Sequence, residues 1–361
     1  MKALAALPLE VRQYLLVTGN YWAFTLTDGA LRMLVVLHFH ALGYTPLEIA
    51  ALFLFYEIFG VITNLVGGYL GARLGLNRTM NIGLALQVIA LLVLTVPTAW
   101  LTVPLVMGAQ AISGIAKDLN KMSAKSSIKL LVPDTEQGTL YKWVAILTGS
   151  KNALKGVGFF LGGMLLATVG FKGAMLVMAA VLGAVWMSSV IFLKKDLGKA
   201  KAKPKFRDVL SKSRAINILS AARQSIAPSI TRTRSGQAPD GRAALIWALL
   251  LAGLPAGIAL GLEFGYPPQI VLIGGLWVFG ALFAINSSLH SYLIVSYAKD
   301  DGVSLDVGFY YMSNAMGRLI GTLLSGWVYQ AYGLEACLWI SSLFVTIAAM
   351  ISITLPRHTQ A

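Results

Sequence analysis

Residues 158–170 read GFFLGGMLLATVG, and residues 321–333 read GTLLSGWVYQAYG. Gly158, Leu161, Gly163 and Gly170 return as Gly321, Leu324, Gly326 and Gly333, each 163 positions later. A constant offset over separate positions marks an internal repeat. The same offset carries Lys155 onto Arg318, and it maps the apolar stretches 79–97 and 103–130 onto 242–260 and 266–293. Two related halves are therefore expected. Small residues spaced along an apolar run, as at Gly158, Gly162 and Gly163, suit helices that pack closely inside a bilayer.

Composition agrees with a bilayer setting. Of 361 residues, 57% are hydrophobic and only 12% charged, whereas a soluble domain carries about a quarter charged residues. With a mean hydropathy of +0.72, an ordinary soluble enzyme is excluded, and no catalytic residues are predicted. Cys337 is the single cysteine, so no internal disulfide and no thiolate metal cluster can form. No other metal site and no cofactor are expected.

A membrane-crossing helix needs about 20 mostly apolar residues. Ten stretches qualify, at roughly 13–38, 46–71, 79–97, 103–130, 139–168, 173–193, 244–262, 269–296, 304–329 and 334–355. The first is too long for a cleaved signal and carries Asp28 and Arg32. The positive-inside rule puts both termini in the cytoplasm. Lys2, Arg12, Arg73, Arg78, Lys299 and Arg357 then lie inside, and the outer loops hold Lys172 alone. Segment 194–242 also falls inside. Its 13 Lys/Arg against 3 Asp/Glu supply +10 of the formal net charge of +14. This segment reads as a solvated basic linker that fixes topology and touches anionic membrane lipids as a minor role. With Phe206 as its main aromatic residue, it gives no sign of nucleic-acid binding.

Carried forward by the offset, spans 13–38 and 46–71 land on 176–201 and on the polar window 209–234. The second half thus lacks counterparts of its first two helices. The expected architecture is an all-α integral membrane protein of two bundles, six helices plus four. Residues 1–193 form the first bundle, 194–243 the linker and 244–361 the second. This plan resembles the major facilitator superfamily, in which two six-helix halves flank a basic cytoplasmic loop. The loop after the second span contains Gly68, Gly71, Arg73, Gly75 and Arg78 and is similar to that superfamily's gating-loop signature, although Ala72 stands where an aspartate is usual. The fifth span resembles the superfamily's antiporter signature, with Phe159 in place of proline.

Ionisable residues inside the spans carry the functional reading. They are Asp28 and Arg32, Glu57, then Lys117, Asp118, Lys121 and Lys125, then Lys151 and Lys155, and Arg318. Facing lipid, these seven cations would cost roughly 20 kcal/mol on insertion scales. They must pair or line a wet cavity. Residues four apart on a helix drift only about 40°, so Lys117, Lys121 and Lys125 form one stripe and Lys151 and Lys155 another. Asp28–Arg32 and Asp118–Lys121 are candidate internal pairs. Lys125 and Lys142 lie toward the cytoplasmic ends, where lysines snorkel. The remaining surplus of positive charge points to an anionic substrate with several negative charges. The phosphate-like oxyanions fit best, held by Arg32, Lys117, Lys121, Lys151, Lys155 and Arg318. Asp28 and Glu57 are candidates for proton coupling, and a structural hydrogen bond explains Glu57 equally well. His38 and His40 read as interfacial residues.

Three long runs narrow the resemblance: SGIAKDLNKMSAKSSIKLLVP (113–133), GTLYKWVAILTGSKNALKGVGFFLGG (138–163) and KDLGKAKAKPKFRDVLSKSRAINILSAAR (195–223). They are similar to the organoarsenical efflux transporters of the ArsJ type, and the likeness extends over nearly the whole chain. The resemblance implies export of 1-arseno-3-phosphoglycerate through the bacterial inner membrane by an antiporter. It further implies a functional partnership with a glyceraldehyde-3-phosphate dehydrogenase that makes this ester from arsenate. It also places a seventh and most of an eighth helix where SAAR (220–223) here runs into QSIAPSITRTRSG (224–236), so an internal deletion is expected at Arg223/Gln224. The rival readings are an organophosphate or phosphate exchanger of the same fold and a shortened remnant that transports nothing.

Overall fold

The computed structural model describes residues 7–44, 48–49, 52–133, 135–194, 197–199, 241–298, 303–353 and 355. Most of the basic linker, including the Arg223–Gln224 junction, lies outside the described residues.

Ten α-helices account for the described chain. They are α1 (Leu9–Ala41), α2 (Leu54–Leu74), α3 (Leu76–Val93), α4 (Val103–Leu131), α5 (137–169), α6 (171–192), α7 (Gly241–Glu263), α8 (Pro268–Tyr297), α9 (303–332) and α10 (334–352). They match the ten expected spans in order and number. Backbone chemistry sets several ends. Pro104 occupies the first turn of α4, where its missing N–H costs nothing. Gly170 (φ 70°) parts α5 from α6, and Gly333 (φ 85°) parts α9 from α10. Both positions lie in left-handed backbone that a side chain resists. They are also the repeat pair, so the sequence repeat is a repeat of helix breaks. α2 bends by 48° between Leu54–Asn64 and Val66–Leu74.

By length and apolarity, α3, the α5–α6 run, α7, α8 and the Trp327–Ser352 portion of α9–α10 can each cross a membrane, and bent α2 makes a sixth. Among the described helices, α1 and α4 are long but more polar than these. The reason is their position. α1 buries Asn20, Thr25, Thr27 and Asp28, and α4 buries Gln110, Ser113, Asp118, Asn120 and Lys121. A helix shielded by its neighbours can carry polar groups that a lipid-facing helix cannot. α8 is the opposite case, with Ile270, Ile273 and Trp277 all exposed.

The described helices fall into two compact units. The first holds α1–α4, α5 from residue 149, α6, and residues 303–316 of α9. Its core is built where α4 packs on α2, α3 and α1 around Phe24, Leu31, Tyr56, Met80, Leu84 and Met122. The second holds residues 137–148 of α5, α7, α8, the rest of α9, and α10. Within it α7 packs on α8, Trp339 donates to Glu263 at 2.8 Å, and Ser342 donates to the Ala252 carbonyl at 2.8 Å.

Candidate substrate-binding site

The α4 stripe is the backbone of the site. Lys117, Lys121 and Lys125 recur every four residues, and the face they share turns into the first unit. Asp118 sits among them at 1% exposure. Lys121 Nζ donates to Asp118 Oδ1 at 2.7 Å, and Lys117 Nζ lies 3.9 Å from Asp118 Oδ2. A buried carboxylate of this kind is tolerable because two ammonium groups face it.

Two tyrosines organise the remaining cations. Tyr56, fully buried on α2, has Lys117 Nζ 3.8 Å and the Arg32 guanidinium 4.0 Å from its ring centroid. Its hydroxyl donates to Asp28 Oδ1 at 2.7 Å. Arg32 reaches Glu57 at 3.6 Å. Tyr311 on α9 repeats the pattern one stripe further along. Lys121 and Lys125 lie 4.2 and 5.0 Å from its centroid, and Lys125 Nζ donates to its hydroxyl. Each such contact is worth about 0.5–2 kcal/mol, more where water is excluded.

The predicted residues are thus placed as follows. Arg32, Lys117 and Lys121 meet at one cluster with Asp28, Glu57 and Asp118. Lys151 stands near enough to Lys125 for their charges to repel. Lys155, half-buried, has its ammonium 5.7 Å from the Phe159 ring. Arg318 belongs to the second unit. Two sequence expectations are revised. Lys125 does not snorkel: it is 3% exposed and turned to Tyr311, whereas Lys142 is exposed as expected. Arg32 takes Glu57 as its ion-pair partner, and Asp28 takes a tyrosine hydroxyl. His38 stacks on Phe171 at 4.1 Å, while His40 is exposed.

The glycines around the α2–α3 loop and those of α5 have distinct surroundings. Gly68 and Gly308 let α2 and α9 touch backbone to backbone, and Ser304 Oγ donates to the Gly68 carbonyl at 2.9 Å. Ala72, where the signature's aspartate would stand, is buried against Leu305 with Tyr69 alongside. That contact is apolar, and no carboxylate stands at position 72. Gly75 links α2 to α3, Arg73 donates to Tyr69 Oη, and Arg78 lines an open cleft of about 420 Å³ with Asn77 and Asn81. On α5, Gly158 and Gly162 rest on the α1 backbone at Leu26–Ala30, and Gly163 faces Leu37.

Sequence reasoning missed Tyr56 and Tyr311. Tyr56 could have been found beside Glu57 in mid-span. Tyr311 lies 186 residues from the lysine it binds, and no local signal points to it.

Comparison with known proteins bears on the fold. The family model described as Major Facilitator Superfamily matches residues 16–237. The human organic anion transporter MFSD10 (TETRAN) is similar in structure, with a TM-score of 0.65 at 16% identity, over 96% of this chain and all of that one. The E. coli fucose:proton symporter FucP gives a TM-score of 0.67 at 13% identity, over 98% of this chain and all of that one. The proton:xylose symporter XylE gives 0.60 at 14% identity, over 95% of each. Identities this low speak for the fold alone. A search of curated proteins finds no match.

Proposed function

Given that the chain belongs to the major facilitator superfamily, we propose that it exports an anionic organoarsenical, 1-arseno-3-phosphoglycerate, and so confers resistance to arsenate. Membrane transport of a substrate is what the family and fold supply. The observation that carries the finer reading is the buried lysine stripe of α4, continued by Lys151 and Lys155 of α5. Lysine ammonium groups are point charges suited to oxyanions that lack a fixed orientation. A phospho- and arseno-ester offers oxyanions at both ends of a short carbon chain. The single thiol, Cys337, is a poor match for trivalent arsenic, which favours several thiolates.

Transport would proceed by alternating access, with two bundles rocking about the cationic site. In this reading the cations held over the tyrosine rings are presented to an incoming anion. Asp28 and Glu57 are the proposed proton carriers of an antiport cycle. Each already faces a group, Tyr56 or Arg32, whose interaction with it changes when a proton is added. The enzyme partner is a glyceraldehyde-3-phosphate dehydrogenase that supplies the ester. The proposed setting is the bacterial inner membrane with both termini cytoplasmic. The proposed second bundle is the four-helix form with its junction at Arg223/Gln224, which intact mass across that junction tests.

The function is tested in an arsenate-sensitive bacterial host. Co-expression with the dehydrogenase is expected to restore growth on arsenate, and neither gene alone is. Replacing Lys151 and Lys155 together by Met is expected to abolish resistance with the protein still in the membrane. Full resistance in that double variant refutes the assignment. Vesicles that move phosphoglycerates but not the arseno-ester would instead establish a phospho-ester exchanger, and vesicles that move neither would establish a remnant.

A further inference from the structure

Independently of what the chain carries, we propose that the cleft between α3 and α6 seats the headgroup of an anionic phospholipid, with Arg78 on its phosphate, Asn77 at its hydroxyl and an acyl chain along Ile82 and Val190.

The end of α6 builds the cleft. Asn77 Nδ2 donates to the Lys194 carbonyl at 2.6 Å, and the Leu76 N–H donates to the Leu197 carbonyl at 2.8 Å. Gln13 of α1 donates to the Phe192 carbonyl at 3.2 Å and accepts from the Lys194 N–H at 3.2 Å. One turn into the unit, Ser189 donates to Asn81 Oδ1. The pairs 77–194 and 81–189 run in opposite directions, so α3 and α6 lie antiparallel. Between them opens a cleft of about 420 Å³, walled by Asn77, Arg78 and Ile82 on one side and Val190 and Leu193 on the other.

Three properties of this cleft suit one ligand. The first is charge. Arg78 is exposed, Arg12 adjoins Gln13, and the basic linker begins at Lys194, while Glu10 is the carboxylate in the first turn of α1. A guanidinium fork matches a phosphate. The second is an apolar run beside that charge. Ile82 lies one turn beyond Arg78, about 40° away. It is 40% exposed, Val190 across the cleft is 41% exposed, and Ile89 and Met187 extend the exposed surface along the two helices. A cation at the mouth of an apolar groove suits a molecule that is anionic at one end and apolar at the other. The third is Asn77, which is 1% exposed and whose Oδ1 has no hydrogen-bond partner among the described residues. A buried acceptor is costly until a donor meets it. An ionised phosphodiester has no donor, so a headgroup hydroxyl completes the set, and phosphatidylglycerol carries both groups. The positive-inside rule puts this end of the unit at the cytoplasmic leaflet, where basic pockets between helices bind anionic headgroups. Diffuse attraction of lipid to the linker is screened by salt, whereas a lipid fixed by shape as well as charge is screened less.

The test counts lipids retained by the purified full-length chain in detergent, read by native mass spectrometry, with dioleoyl phosphatidylglycerol, phosphatidylmethanol and phosphatidylcholine as probes. One phosphatidylglycerol is expected to be held at least tenfold more strongly than phosphatidylcholine, with a preference that persists in concentrated ammonium acetate. Phosphatidylmethanol has the same charge and no hydroxyl, and about threefold weaker retention is expected. Free glycerol 3-phosphate in hundredfold excess is expected not to displace the lipid. Arg78→Gln is expected to lose at least fivefold in retention of phosphatidylglycerol. Val190→Trp fills the apolar part of the cleft with Arg78 in place, and a similar loss is expected. Both variants are checked for monodispersity, and should Arg78→Gln fail that check, Val190→Trp decides. The proposal is overturned if phosphatidylcholine is held as strongly as phosphatidylglycerol, if concentrated salt removes the preference, if glycerol 3-phosphate displaces the lipid, or if either folded variant binds like wild type. Phosphatidylmethanol held as tightly as phosphatidylglycerol would overturn the assignment of Asn77.

Discussion

Adding one methyl group at Gly158 should be harmful, while adding one at Gly156, two residues away on the same helix, should not. A Cβ at position 158 would stand 2.6 Å from the Leu26 carbonyl oxygen and 3.2 Å from both Ala30 N and Gly29 Cα. All three are backbone atoms and cannot rotate aside. Ordinary contact begins near 3.4 Å, so α1 and α5 must separate by about 0.8 Å. Overpacking of this kind costs about 1–3 kcal/mol. Against it stands the gain of up to about 1 kcal/mol when alanine replaces glycine in a helix. With the full gain subtracted, Gly158→Ala is expected to destabilise by up to about 2 kcal/mol. At Gly156 nothing lies within 4 Å, so alanine there should stabilise by up to about 1 kcal/mol. The assay is thermal unfolding of the two purified variants side by side in the same detergent, read as the apparent Tm from size-exclusion recovery. The displaced stretch of α1, Leu26–Ala30, includes Asp28 and precedes Arg32, so Gly158→Ala should also reduce transport. A Gly158→Ala protein as stable as wild type, or more stable than Gly156→Ala, refutes the close α1–α5 crossing.

Tyr56→Phe keeps the ring between Lys117 and Arg32 but deprives buried Asp28 of its 2.7 Å donor, so a loss of about 1–3 kcal/mol is expected in the same unfolding assay. Lys121→Met leaves Asp118 buried with Lys117 at 3.9 Å, and a loss approaching 3 kcal/mol is expected, largely recovered when Asp118→Asn is added. A double variant no more stable than Lys121→Met would show that this pair is not coupled. Ser189→Ala removes the hydroxyl that accepts from Asn20 Nδ2 at 2.9 Å and donates to Asn81 Oδ1, and about 1–3 kcal/mol should be lost with α6 loosened from α1 and α3. Faster amide exchange in α6 reports it, and unchanged exchange counts against that network.

The architecture was legible because a membrane simplifies the problem. Spans must be long and apolar, so hydropathy finds them, and the repeat of Gly170 at Gly333 finds the break between helices in both halves. The polar helices α1 and α4 were legible for a second reason. Their charges are too expensive to face lipid, which forces them inward. The cationic stripe at Lys117, Lys121 and Lys125 follows from helical period alone. Partner choice does not. Period and spacing place Arg32 four residues from Asp28 on one helix, but the α1–α2 packing brings Glu57 and Tyr56 to them from another. Distance from a span end suggested water for Lys125, but α9 packs against α4 and supplies Tyr311.

The sequence by itself determined an all-helical membrane chain of related halves, with more positive charge inside its spans than its own carboxylates can match. Those properties depend on composition and on one-dimensional period, which every segment carries locally. Only the tertiary structure decided which cations stand together, which are matched by carboxylates, and that tyrosines seat them in pairs. Such pairings join residues far apart in the chain, through helix contacts set by backbone close approach at Gly29–Gly158 and Gly68–Gly308. A contact between distant segments leaves no period in either one, so it becomes visible when the helices are packed.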